Sequence, residues 1–426
     1  MLGKSFLISK TPYAIFMIGG ALSSVIKQFV YAKFLTVDDF GYYSLVFLIQ
    51  SYGIYLSTIG MHDGLLRELT VHRSNGNSNF ANQVRNNVLT LSLVLSAVVG
   101  LLYFVIVQFI FSWDSDLYKV LLMVIPYSIT TIMFNMVLVD LLASKKSIHY
   151  SFLTFIRALL NLSVGFLLVF LNNSVFVILL SEILITLIII FFIIKYFTPG
   201  SKLDFSFGVR LCSVVKTGLP FSLTNLLKNL STNLDKIFVA SLFPIAIFSQ
   251  YTFAMIIYGG GLLVTTIIGT LFKPYLIGLH MNTQNPHDIF LKACKLSFAI
   301  LFVMILLWWP ILTMIEWCVI SYFPNYTQAI PLFPVIYIST LFVSINVFDA
   351  VILAFGRGGR MLFFYATISV IYLVAILVLS RFNVSLIDYA FAFGLMQCSL
   401  LIISIYLSWY EVKRYRIKFK TKNLLT

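Results

Sequence analysis

Residues 149–194 read HYSFLTFIRALLNLSVGFLLVFL, then NNS, then VFVILLSEILITLIIIFFII. The two apolar runs, His149–Leu171 and Val175–Ile194, are each long enough to cross a bilayer, which takes about 20 residues of helix. Three polar residues join them, so the chain turns straight back. The charges inside the runs are Arg157 and Glu182. Hydrocarbon offers no partner to a backbone N–H or C=O, so segments of this kind are helical.

The pattern extends in both directions. Pro12–Phe34, Tyr42–Gly64, Asn86–Phe111 and Leu117–Ala143 precede this pair. Lys216–Phe243, Ala246–Phe272, Leu296–Cys318, Pro331–Phe355, Met361–Ser380 and Leu386–Tyr410 follow it. These spans predict an all-α integral membrane protein with about twelve transmembrane helices. Of the 426 residues, 60% are hydrophobic and 10% charged, where soluble domains carry about 25% charged. The longest polar interval, Leu65–Arg85, is too short to bury a core of its own. The first run is followed by no small-residue cleavage site, so it is expected to stay as the first span.

Basic residues set the orientation. With the N-terminus inside, 22 of the 29 Lys and Arg fall on the cytoplasmic side. Lys33, Lys119 and Arg381 fall outside, and Lys27, Arg157, Lys228 and Lys236 lie within spans. Both termini are therefore expected to be cytoplasmic. The net charge of +14 then reflects an anionic leaflet facing a basic tail, and no nucleic-acid partner is expected. Cys212, Cys294, Cys318 and Cys398 show neither CxxC nor Cys/His metal spacing. No metal and no cofactor are expected.

The chain divides into a first six-helix bundle over 1–197, a cytoplasmic linker over 198–215, a second bundle over 216–410 and a basic tail over 411–426. Setting Ile26–Tyr43 against Leu234–Tyr251 lays IKQFVYAKFLTVDDFGYY over LDKIFVASLFPIAIFSQY, matching Ala32, Phe40 and Tyr43 with Ala240, Phe248 and Tyr251. The offset is six spans, so the repeat is parallel, as in transporters with two halves about an axis along the membrane normal. This register sets Lys27 over Asp235 and leads to the expectation that the two groups pair.

Catalytic motifs are nearly absent. There is no GxxxxGK[ST], so ATP hydrolysis by this chain is not expected. GRGGR at Gly356–Arg360 reads as a tight basic turn, and DSD at Asp114–Asp116 as an acidic outer loop. The informative residues are ionisable groups within spans, each costing on the order of 3 kcal/mol or more against lipid. They are Lys27, Asp140, Arg157, Glu182, Lys228, Asp235, Lys236 and Asp349. Asp140 and Glu182 sit toward span ends and are expected to reach the interface or a neighbouring backbone. At 100° per residue, Asn225, Asn229, Thr232 and Lys236 share one face, which Lys228 and Asp235 widen. Tyr150, Thr154, Arg157 and Asn161 form a similar stripe, as do Ser24, Lys27, Gln28 and Tyr31. Stripes on several helices predict a shared polar cleft; static bridges between helices are the alternative.

Three segments carry a resemblance. YAKFLTVDDFGYYSL, IGMHDGLLREL at Ile59–Leu69, and GLPFSLTNLLKNLSTNLDKIFVASLF resemble the corresponding parts of bacterial polysaccharide repeat-unit (O-antigen) flippases. These belong to the multidrug/oligosaccharidyl-lipid/polysaccharide exporter superfamily. The resemblance implies two six-helix bundles around a central cleft lined by the first and seventh spans. It implies no enzyme but a transporter of the bacterial inner membrane. The substrate would be an oligosaccharide on undecaprenyl pyrophosphate, moved from the inner to the outer leaflet. Membrane lipids and other polysaccharide assembly proteins would be its partners. Substrate-binding or gating residues would be Lys27, Arg157, Asn225, Lys228, Asp235, Lys236 and Asp349. The second-half turn departs from the pattern, reading FSQY. A multidrug or cation exporter of the same superfamily is the alternative; a membrane glycosyltransferase or polymerase would need a larger outer domain than the loops provide.

Overall fold

The computed structural model describes residues 4–423 apart from 75, 111–115, 145, 173, 199, 206–208, 283–285, 355–357 and 383. The side chains of Asp114–Asp116 and Gly356–Arg360 fall outside the described set. In chain order the helices are α1 (Lys4–Phe34), α2 (Val37–Thr58), α3 (Met61–Ser74), α4 (Ser78–Ile110), α5 (Asp116–Leu122), α6 (Val124–Ala143), α7 (Ser147–Asn172) and α8 (Val175–Tyr196). Then follow α9 (Val209–Leu242), α10 (Ile245–Asn282), α11 (Pro286–Leu306), α12 (Trp308–Tyr322), a 3-10 segment (Pro324–Leu332), α13 (Phe333–Ser344), α14 (Phe348–Ala354), α15 (Gly358–Leu379) and α16 (Leu386–Asn423). The described residues contain no strand.

Ten helical segments among the described residues are long and apolar enough to cross a membrane, so this is a multi-pass membrane protein. The other two of the twelve expected spans are 216–243, on α9, and 42–64, which follows α2 to Thr58 and then passes through the turn at Gly60 into α3. Polar residues dilute their hydropathy: Gln50 with interspersed Ser, Tyr and Gly in α2, and Asn225, Lys228, Asn229, Asp235 and Lys236 in α9. The expected ninth span is broken at Leu307, between α11 and α12. Pro310 lies just beyond the break and cannot donate to the carbonyl four residues back.

The interval first read as polar, Leu65–Arg85, is largely helix. Met61, Leu65 and Leu69 recur at i, i+4 and i+8, are fully buried, and join Val84, Val88 and Ile132 in one core. This amphipathic α3 is too short and too polar to span.

The chain forms two compact units, residues 3–230 and 231–426, and passes from one to the other inside α9. In the first unit α1 packs along α7, and α6 packs against α2, α3, α4 and α8. The acidic loop of the VDDFGYY segment is a helix cap. The Thr36 hydroxyl accepts the Asp39 amide at 3.1 Å and donates to the Asp39 carboxylate at 2.7 Å, closing the N-terminus of α2.

Two of the quoted sequence segments meet in space. At the α2–α3 turn Gly60 has φ +78°, a conformation that suits glycine. A Cβ on Gly60 would overlap the backbone of Gly218, one on Gly218 the carbonyl of Gly60, and one on Gly64 the carbonyl of Val214. The IGMHDG and GLP strings thus make a crossing of bare backbone between the α2–α3 turn and the first half of α9. The segment after α8 is tied down in the same unit. Asn86 bonds the Gly200 carbonyl and the Lys202 amide, and Thr90 accepts the Asp204 amide at 2.7 Å.

In the second unit α13 packs between α10 and α16, and α14 between α10 and α16. Tyr251, Phe248 and Phe393 are fully buried there.

Candidate functional site

The first unit buries a carboxylate at membrane depth and surrounds it with donors. Glu182 on α8 is 0% exposed. Its Oε1 accepts Lys27 Nζ at 2.9 Å, the Tyr31 hydroxyl at 3.1 Å and the Tyr43 hydroxyl at 3.0 Å. Its Oε2 accepts the Tyr127 hydroxyl at 2.7 Å. Four helices supply this tie: α1, α2, α6 and α8. The Lys27 ammonium also lies over the rings of Tyr31, Tyr43 and Phe47, at 5.8, 5.7 and 5.2 Å from their centroids. Glycine makes room for the arrangement, since a Cβ on Gly165 would overlap the Tyr31 hydroxyl.

The expectation that the Glu182 carboxylate reaches an interface or a neighbouring backbone group does not hold. It is the centre of a network. Asp140 differs from expectation in the same way: it is 3% exposed and accepts Arg73 and Arg85, the latter at 3.1 Å. Lys27 and Asp235, set over each other by the repeat register, each have a partner within their own unit. Lys27 holds Glu182, and Asp235 accepts the Tyr251 hydroxyl at 2.5 Å.

A cavity of about 290 Å³ opens beside the tie. Ser24, Lys27 and Gln28 enter it from α1, Tyr43 and Phe47 from α2, Tyr127 from α6, and Thr154, Arg157 and Asn161 from α7. The two polar stripes read from the first and fifth spans converge here because α1 and α7 lie along each other. Arg157 is half-buried, with its guanidinium carbon 4.2 Å from the Phe134 ring centroid. Among the described residues it makes no hydrogen bond or ion pair. Glu182 neutralises Lys27, which leaves Arg157 as a net positive charge in a low-dielectric wall. Such a site holds an anion by charge-assisted hydrogen bonds, bidentate if the anion is a phosphate or carboxylate.

Of the remaining predicted residues, Asn225 and Lys228 lie in the first unit and Asp235, Lys236 and Asp349 in the second. Asn225 lines a second cavity in the same unit, and Lys228 is exposed on α9. Asp235 is fully buried in the second unit, and the neighbouring Lys236 donates to Asn233 at 3.0 Å. Asp349 accepts the hydroxyls of Tyr365 at 2.9 Å and Ser404 at 2.8 Å. Tyr43 and Tyr127 were not singled out from sequence, although the repeat register had already set Tyr43 over Tyr251. Among the described residues no group of three or more His, Cys, Asp or Glu is placed to hold a metal.

A family model described as "Polysaccharide biosynthesis protein" matches residues 30–307. No match is found among curated proteins. Among solved structures, the eukaryotic MATE transporter AtDTX14 superposes with a TM-score of 0.65 at 10% identity, covering 97% of this chain and 99% of its own. An inward-facing multidrug resistance MATE family transporter of the MOP superfamily gives a TM-score of 0.63 at 13% identity, covering 95% of each chain. A MOP superfamily transporter from Pyrococcus furiosus gives 0.58 at 14% identity, covering 96% of this chain and 95% of its own. That protein is described as having a binding pocket of reversed polarity that suggests a different function. At these identities the likeness is one of fold.

Proposed function

The chain belongs to the polysaccharide biosynthesis protein family, and on that premise we propose that it is a transporter that carries an anionic lipid-linked oligosaccharide across the bacterial inner membrane. The substrate is a repeat unit of O-antigen or a related surface polymer on undecaprenyl pyrophosphate, moved from the inner to the outer leaflet. Both termini are cytoplasmic, and the chain itself performs no chemistry on the sugar.

The observation that carries this reading is the cavity holding Lys27 and Arg157, with a single carboxylate already committed to Lys27. A cationic drug entering it would meet Arg157, whereas a pyrophosphate would be held by it. A pocket of reversed polarity within this fold is also described for the Pyrococcus protein. A sugar hydroxyl stripped of water in hydrocarbon costs several kcal/mol, so the head group needs a lined path while its polyprenyl tail stays in lipid. With the cytoplasm negative, outward movement of an anion gains about 2.3 kcal/mol per charge for each 100 mV.

Surface polymer, measured alongside membrane level of the protein, tests the proposal. Arg157→Ala is expected to abolish surface polymer with normal membrane level. Arg157→Lys should retain part of it, because charge survives and the bidentate fork does not. Full polymer in Arg157→Ala would overturn the assignment.

A further inference from the structure

The second cavity of the first unit has a different chemistry from the first. It encloses about 370 Å³, and its polar lining includes Ser51, His62, Asn135, Ser222, Asn225 and Asn229. Among the described residues no Lys, Arg, Asp or Glu lines it. Asn135 is half-buried on α6 and makes no hydrogen bond among the described residues. Its amide would otherwise bond within the helix bundle, since a polar group facing hydrocarbon without a partner is costly. Ser51 spends its proton on the Leu48 carbonyl at 2.7 Å and accepts Asn229 Nδ2 at 3.1 Å, which fixes the Asn229 amide in orientation. The turn at Gly60, locked by its backbone crossing with Gly218, forms part of the wall. Amides, which carry a donor and an acceptor side by side, and hydroxyls match the vicinal hydroxyls of a neutral sugar.

The two cavities follow one another along the same helices. On α2, Tyr43 and Phe47 line the cationic cavity, and Ser51, Ile54, Tyr55 and Thr58 line the neutral one. On α6, Tyr127 lines the first, and Ile132, Asn135 and Met136 the second. At 1.5 Å per residue their centres lie about 10–14 Å apart along the helix axes. That separation puts the neutral lining within reach of the sugars joined directly to an anion held at Arg157.

We propose that this cavity is a saccharide subsite: Asn135, Asn229 and Ser222 recognise the neutral sugar next to the pyrophosphate, while Arg157 holds the pyrophosphate. The assignment rests on the anionic-substrate reading above, and it divides one ligand between a charged cavity and an amide cavity. Lipid selection and sugar selection are then separate functions of separate residues.

The test uses the full chain in lipid nanodiscs. Binding is measured for undecaprenyl pyrophosphate and for the same carrier bearing glucose, galactose or N-acetylglucosamine. At least one glycosylated carrier should bind the wild type more tightly than the bare one. Asn135→Leu should weaken that glycosylated carrier by about 5- to 30-fold, the loss of one or two hydrogen bonds, and leave bare carrier within about twofold. Asn135→Ala serves as a second variant should leucine pack poorly, with the same expectation. Arg157→Gln should weaken both carriers alike. Equal affinity of the wild type for all four lipids, or an Asn135→Leu loss of equal size for bare and glycosylated carriers, overturns the saccharide subsite and leaves the anion reading standing. Absence of binding by either kind of carrier to the wild type overturns the anion reading and the subsite with it.

Discussion

Both halves of the molecule bury a carboxylate and hand it a tyrosine hydroxyl, but they arrange charge around it differently. In the first, Tyr43 donates to Glu182, which stands on α8 and neutralises Lys27 of α1. In the second, Tyr251 donates to Asp235, which stands on α9 itself. The repeat register aligns Tyr43 with Tyr251 and Lys27 with Asp235. The scaffold tyrosine therefore occupies matching places, while the helix position it serves carries opposite signs. The comparison teaches that a repeat can preserve a hydrogen-bonding frame and still give its two copies different electrostatics. Polarity in such a fold must be read residue by residue.

The sharpest way to break this comparison is to remove the acid of the first half. Glu182→Ala strands a buried ammonium and three tyrosine hydroxyls, and is expected to cost about 3–5 kcal/mol. Thermal unfolding of detergent-solubilised protein reads this as a large loss of folded material. Lys27→Met should cost less, because three tyrosines still hold the carboxylate. Equal losses in the two variants would mean that the tyrosines contribute nothing.

A middle-sized effect is expected at Gly165, where the change acts only on the frame. Gly165→Ala pushes against the Tyr31 hydroxyl and should destabilise by about 1–3 kcal/mol, as overpacking does. Combining it with Tyr31→Phe, which deletes the clashing oxygen, should recover part of the loss in the same unfolding assay. No recovery would place the strain elsewhere.

The smallest effect belongs to the second half. Asp235→Asn keeps an acceptor for Tyr251 and should change stability by about 1 kcal/mol or less. The matched change Glu182→Gln, which removes the charge at the same side-chain length, should cost distinctly more, because Lys27 loses its counter-charge. Comparable losses at the two positions would erase the difference between the halves.

The fold was legible because its signal is collective. Any one apolar run is ambiguous, but a chain of such runs joined by short loops leaves few alternatives. Breaks within spans were less legible, as at Leu307, where local proline chemistry acts on a run that stays apolar throughout. The cationic cavity was partly legible. Helical periodicity put Ser24, Lys27 and Gln28 on one stripe and Thr154, Arg157 and Asn161 on another. The packing of α1 along α7 joined them. The partner of Lys27 was not legible, because Tyr31, Tyr43, Tyr127 and Glu182 come from four helices and share no spacing. Position within a run misled for Glu182 and Asp140. A charge near a span end reaches water only when its helix face does, and both residues face other helices.

The four-helix tie also has a consequence in time. Lys27 precedes its partner by 155 residues. At about 5–20 residues per second, ribosomes deliver Glu182 roughly 8–30 s after Lys27 has been synthesised. During that delay the nascent first helix carries an uncompensated ammonium toward the membrane. It must wait with the lysine stretched to the interface, or remain beside the insertion machinery, until the sixth span arrives. The order of synthesis therefore bears on how this buried pair is assembled.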